Sequence, residues 1–285
     1  MSCRSVAIIA LILTTGSLPL LAQWPDYASP GVPRTPDGKP NLSGPTPKTP
    51  DGKPDLSGIW QYQRPPEPPG QAAPPTPPRA PSPNDNIIPL AIRRSQFWNL
   101  GASFKDGLPF QPWAAELHRQ RVEQNSKDNP DAHCLPLGVM QLHTHGQPRK
   151  IVQTPGLIVI MYEANSGLRQ IFTDGRPMPK DPEPWWYGYS IGKWDGDTLV
   201  VESAHFRDLG WLDVEGSPLT DRGRIIERFR RPDFGHLEIE VTIDDPKAYT
   251  KPWTVTVHQR ILGDTDLIEF VCQENDKAGP HLIGK

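Results

Sequence analysis

The stretch Tyr187-Gly-Tyr-Ser-Ile-Gly-Lys-Trp-Asp-Gly-Asp-Thr-Leu-Val-Val-Glu-Ser-Ala-His205 sets two runs of strand-forming residues on either side of Asp195-Gly196. A two-residue Asp-Gly connection favours the type I′ turn, whose twist matches paired antiparallel strands, so the stretch reads as a β-hairpin. Strand-type segments recur on both sides of it, at residues 157–162, 168–173, 224–230, 237–243, 253–262 and 266–272. Leu237, Ile239, Val241 and Ile243 alternate with Glu238, Glu240 and Thr242, which describes a strand with one wet face. Residues 157–162, Leu-Ile-Val-Ile-Met-Tyr, are apolar on both faces and belong at the centre of the sheet. Eight or nine such strands joined by short turns predict a mainly β protein. An antiparallel up-and-down barrel or strongly curved sheet is expected, with a two-sheet sandwich as the alternative.

One short helix is expected over residues 112–125. Pro112 suits the first helical position, and Trp113, Leu117 and the stem of Arg121 follow at intervals of four. Ahead of it, residues 35–44 read Thr-Pro-Asp-Gly-Lys-Pro-Asn-Leu-Ser-Gly and residues 49–58 repeat them with Asp55 in place of Asn41. Two Pro/Gly-punctuated copies with one Leu each cannot build a solenoid, so residues 23–58 read as a duplicated extended lead-in. Residues 59–63 look like a first strand. Half of residues 64–83 are proline, so 64–85 read as a polyproline II spacer, with an interaction arm as the alternative. Residues 86–285 are then a single β-rich domain, onto which the Trp60 segment can fold back.

Residues 1–22 carry Arg4, an apolar run from Val6 to Leu13, the breakers Gly16 and Pro19, and Ala22 at the end. This is the pattern of a secretory signal peptide cleaved near Ala22, and the run is too short and interrupted for a membrane span. The expected location is periplasmic or extracellular. Processing would leave 29 Lys and Arg against 33 Asp and Glu, a net charge of −4. The basic residues nearest to a run, in 228–231, are interrupted by Phe229, so nucleic acid is excluded as a partner for want of a basic face. In an oxidising compartment the two remaining cysteines, Cys134 and Cys272, are expected to pair, with two buried free thiols as the alternative.

Several segments resemble, in this order, a large group of secreted bacterial proteins that carry no established activity. They are Cys134 to Val139, Lys150 to Gly156, Arg169 to Arg176, the hairpin above, Glu227 to Arg231, Val241 to Tyr249 and Cys272 to Asn275. Where the resembling chains have Gly-His-Pro-His ahead of the Glu-Arg-Phe strand, this one has Gly216-Ser217-Pro218-Leu219. The opening Gly58-Ile59-Trp60 also resembles the Gly-x-Trp of lipocalin and avidin barrels, and points to the barrel.

Strand parity places His205 on one face with Leu199, Val201 and Ser203, and Glu227 on one face with Ile225 and Phe229. Burial raises a carboxyl pKa and lowers that of an imidazole, so the two are candidates for an acid/base pair lining a pocket. The structural alternative is that His205 ends a strand and Glu227 answers a buried arginine such as Arg169. Residues 179–189 hold Trp185, Trp186, Tyr187 and Tyr189 in a proline-rich loop, with Asp174-Gly175-Arg176-Pro177 as a turn before it. Trp186, Tyr187 and Tyr189 suit an aromatic or sugar-like ligand, with Arg169 or Arg176 clamping an anionic group. A lid packed over the barrel end is the alternative. His143 and His145 would share a strand face, but no third ligand stands at a diagnostic spacing, so a solvated strand end is favoured over a metal site. No nucleophile elbow, phosphate loop or dinucleotide fingerprint is present, and no cofactor is expected. Three functions stay open: a small-molecule binder, a cofactor-independent lyase, isomerase or hydrolase using His205 and Glu227, and a structural cell-envelope module.

Overall fold

A computed structural model of the chain describes residues 27–64 and 95–272. The signal-peptide reading and most of the proline-rich stretch lie outside the described residues. Among the described residues there are eleven strands: β1 (Gly58–Gln63), β2 (Arg149–Thr154), β3 (Leu157–Tyr162), β4 (Leu168–Phe172), β5 (Tyr189–Asp195), β6 (Thr198–Ala204), β7 (Gly210–Trp211), β8 (Pro218–Leu219), β9 (Arg224–Arg230), β10 (His236–Asp244) and β11 (Trp253–Ile261). Nine of them close into a barrel in the order β1-β11-β10-β9-β6-β5-β4-β3-β2, while β7 and β8 pair apart as a small ribbon. Closure excludes the sandwich. It is completed by the Trp60 segment, which pairs with β11 through Trp60 to Gln63 and with β2 through Gly58 to Trp60.

Eight of the nine barrel junctions are antiparallel; β4 and β5 alone are parallel, and only Ile171↔Ser190 and Phe172↔Ile191 pair there. The cause is the 173–188 connection, which returns along the barrel wall to the end where β4 began. The hairpin that opened the sequence reading is present, one residue out of the expected turn. Asp195 pairs with Thr198, so the two central residues are Gly196 and Asp197. Only Gly196 has a positive φ, 59°. Glycine at the first central position is the requirement of a type II′ turn, and this replaces the I′ expectation.

One barrel end carries the β5–β6 and β9–β10 turns, and the duplicated decapeptide covers it. Thr35 donates its N–H to the Lys39 carbonyl at 2.8 Å and Gly38 to the Thr35 carbonyl at 2.9 Å; fourteen residues on, Thr49 to Lys53 and Gly52 to Thr49 repeat both bonds. Gly38 and Gly52 have φ of 83° and 81°, left-handed values that favour glycine. Lys48 pairs with Asp197 at 2.8 Å, and the Gly44 and Leu42 carbonyls accept from Phe234 and Gly235. The two turn motifs therefore dock on the β5–β6 and β9–β10 turns.

At the opposite end, α1 (Pro112–Glu123) and α2 (Val139–Thr144) approach the mouth. In α1, Ala114 and Val122 are buried while Trp113 is exposed and donates its indole N–H to the Lys247 carbonyl at 2.7 Å. The inward stripe thus starts one residue later than the spacing predicted, because a small side chain lets the helix lie close. The second helix corrects the strand reading around His143: all six residues of α2 are buried. A six-residue segment buried on every side, at polar and apolar positions alike, carries no helical period to read. Residues 266–272 form no strand, for the closed barrel has no free edge to pair with, and Phe270 and Val271 stay exposed. That segment ends in the disulfide, Cys134 to Cys272, with Cα atoms 5.6 Å apart, inside the range a bridge requires. Among the described residues no helix is long and apolar enough to cross a membrane.

Candidate functional site

Inward-facing positions are apolar over much of the barrel, with Trp60, Ile158, Ile160, Leu199, Phe229, Ile239 and Val257 all buried. Near the mouth the interior turns polar. Arg149, Tyr162, Arg169, Ser190, Ser203, Glu227 and Gln259, from seven different strands, are buried together beneath α2. Arg169 grips Glu227 with two guanidinium nitrogens, one at 2.9 Å, and bonds Ser203 at 2.8 Å and Ser190 at 3.2 Å. From α2, His143 Nε2 meets the same carboxylate at 2.6 Å. Arg149 donates to the carbonyls of His143 and His145 at 2.7 and 3.1 Å, so its charge meets the exposed carbonyls at the helix C-terminus. The helix is a plug, anchored to the wall at its functional groups as well as by packing.

Burial alone would raise the Glu227 pKa, but the Arg169 charge and the hydrogen bonds from Arg169 and His143 outweigh it and hold the carboxyl at about 2. Burial pushes the His143 imidazole down, against the pull of Glu227, so His143 is neutral and donates its Nε2 proton to the carboxylate. Glu227 therefore has no proton to give at neutral pH. The geometry pairs it with Arg169, the structural alternative of the sequence reading, and among the described residues no hydrogen bond joins it to His205. His205 lies just past β6 with φ 62°, where its carbonyl accepts from the Trp185 N–H at 3.0 Å. Parity failed there because the strand stops one residue earlier.

A pH dependence follows. Burial also lowers His118, and lowers His145 to about 4 beside Arg149 and against Asp131. A base depressed in the folded state binds fewer protons than in the unfolded chain, so its contribution is complete above about pH 6.5 and is lost as the pH falls. At pH 5, His145 alone is expected to cost about 2 kcal/mol, at 1.36 kcal/mol per unit. Urea midpoints measured at pH 7.5 and 5 should differ in that sense; equal midpoints would refute it.

The predicted aromatic and cationic residues are split among four places. Arg176 pairs with Asp174 and lies 3.9 Å from the Phe172 ring centre; Phe172 stacks on Tyr189 at 5.1 Å, and Tyr189 meets Trp185 at 5.3 Å. This stack pins the 173–188 connection to the outer wall. Tyr187 packs beside Tyr162 at 6.3 Å over Gly167, where a Cβ would come within 2.8 Å of its hydroxyl. Arg169 is inside. His143 and His145 point to different surroundings, Glu227 and the edge of Phe97, and among the described residues no group of three His, Cys, Asp or Glu side chains can hold a metal ion.

Trp186 reaches the mouth. There it lines a narrow slot of about 20 Å³ with Val139 of the plug, Phe206, Trp211 and Leu219. Two arginines flank the aromatic walls. The Arg207 guanidinium lies 5.0 Å from the Trp186 ring centre and that of Arg121 lies 4.3 Å from the Trp211 ring. Arg121 donates to the carbonyls of Gly216 and Leu209. Neither guanidinium forms a salt bridge among the described residues. A wider groove of about 190 Å³ on the outer wall holds His236 and Glu238, whose side chains are already paired with Asp233 and Arg230. Sequence reasoning missed Phe206, Arg207 and Trp211. They come from a connection without periodicity, which the β7–β8 pairing folds onto the mouth. No protein-family model matches the chain, and no curated protein matches it.

Proposed function

We propose that this chain is an exported β-barrel protein that binds a small aromatic or amphipathic molecule at its plugged mouth, between the Trp186 loop and the β7–β8 ribbon. The observation that carries the reading is the slot itself, an apolar cleft walled by Trp186, Phe206 and Trp211. Binding sites for small molecules are concave and mostly apolar, with a few placed polar groups, and barrel mouths are a common location. The barrel interior offers a poorer seat, because α2 and the polar layer fill it. The departure from the resembling chains falls at the same place. Leu219, at the second histidine position of that Gly-His-Pro-His pattern, lines the slot and keeps this wall apolar.

Tryptophan fluorescence tests the reading. Titration with aromatic ligands is expected to quench the mouth tryptophans, and Trp186→Ala to weaken the best ligand about tenfold or more, the scale of a buried aromatic anchor. Trp185→Ala, on the outer-wall stack, should leave the affinity unchanged. No quenching across such a set, or equal loss in the two variants, would sink the reading.

A further inference from the structure

We infer that the ligand of the mouth is an aromatic anion, its ring held among Trp186, Phe206 and Trp211 and its carboxylate or sulfonate met by Arg207; the inference rests on the mouth-binding reading. Four observations support it. Arg207 is exposed, lies over the face of Trp186, and forms no salt bridge among the described residues. Arg34, Arg119, Arg176, Arg224, Arg228 and Arg230 pair with carboxylates, whereas the arginine that lines the slot does not. Arg121, over the opposing Trp211, likewise bonds carbonyls and forms no salt bridge among the described residues, although the Asp213 and Asp128 charges act on it from further off, so Arg207 is the cation at the slot left for an incoming anion. An arginine stacked on an aromatic face keeps its edge free for a bidentate carboxylate, the geometry for which a guanidinium is suited.

The last observation concerns entry. At about 20 Å³ the slot is nearly shut, so a bicyclic ligand must displace one wall. The wall built for this is the connection from β6 to β7. It begins at His205 and reaches Leu209 with φ of 62° and 56°, left-handed values in residues other than glycine, and Leu209 is 46 % exposed. Such backbone states cost roughly 1 kcal/mol or more each and persist only where surrounding contacts impose them. Arg121 imposes one of them by holding the Leu209 carbonyl at 3.0 Å. Moving this connection relieves the strain and frees Phe206 and Arg207 to close over a ring.

The test uses 2-naphthoate and its uncharged isostere 2-naphthamide, titrated calorimetrically into the full exported chain. Naphthoate is expected to bind about tenfold more tightly than the amide, and the advantage should shrink as salt is raised, as for any partly exposed charge pair. Arg207→Gln should bring naphthoate down to the affinity of the amide without changing the amide, whereas Arg207→Lys should keep part of the preference. The Arg207 guanidinium donates no hydrogen bond to a described residue, and its backbone bond to the Trp185 carbonyl survives substitution, so unfolding temperatures of both variants should match the parent. If naphthoate and naphthamide bind equally, Trp186→Ala weakens both and Arg207→Gln weakens neither, the anion inference is overturned while the mouth reading stands. If neither compound binds, or Trp186→Ala changes nothing, both fall.

Discussion

Glu227→Gln is expected to destabilise the barrel by about 3 to 5 kcal/mol, the range for removing one partner of a buried ion pair. Glu227 is 0 % exposed and Arg169 1 %. The loss is large because the carboxylate has no substitute. Its two oxygens serve Arg169 twice and His143 once, and a glutamine offers one acceptor oxygen for three donors. What remains is a guanidinium out of water, facing one neutral amide oxygen and the Ser190 and Ser203 hydroxyls in place of a full negative charge. Most of the cost is the stranded charge, not the worth of the pair. Arg169→Met combined with Glu227→Leu should therefore recover much of the stability that Glu227→Gln loses. Urea unfolding of the single and double variants checks both statements, and a double variant no more stable than Glu227→Gln would show that the polar layer contributes through its hydrogen bonds instead. The same comparison bears on function, because a dyad serving only as structure can be replaced by apolar side chains without loss of mouth binding.

How much of this was legible depended on the range over which residues cooperate. The alternation in residues 237–243 depends on neighbours along one strand, and it predicted β10 and its buried face. Parity likewise put Glu227 inside, because it lies mid-strand, while the partner it faces, Arg169, entered the reading only as the alternative to His205. Where the decisive contact comes from another part of the chain, the reading went astray. Residues 266–272 have strand composition, yet β1 had already taken the edge of β11 that they would need. Asp195-Gly196 was the right signal read one place early, because whether Gly takes the first or second central position depends on the register of the whole hairpin. The plug was invisible, its six residues too few to show a period and apolar or hydrogen-bonded on every side. The slot was legible only in Trp186, for Arg207 and Trp211 reach it through the β7–β8 ribbon, whose two-residue strands leave no pattern in the sequence.

Cys272→Ser is expected to lower the unfolding temperature by roughly 5 to 20 °C. The bridge closes a sequence separation of 138 residues, for which loss of chain entropy in the unfolded state amounts to about 5 kcal/mol, and removal of native disulfides costs about 2 to 5 kcal/mol. A domain of this size loses about 2 to 4 °C per kcal/mol. Position makes the effect more than entropic. Cys134 precedes the plug by only a few residues, and Cys272 ends a segment that has left the sheet and exposes Phe270 and Val271. The disulfide therefore holds a stretch that has no strand partner against the approach to α2. Reduction of the parent protein should reproduce the variant's unfolding temperature, and Cys134→Ser with Cys272→Ser should be no less stable than Cys272→Ser alone, because both changes remove the same bond. Intact mass should be two hydrogen atoms lighter than that of the reduced chain, with both sulfurs inert to alkylation in the native state. Free alkylation of Cys134 in the folded protein would refute the bridge.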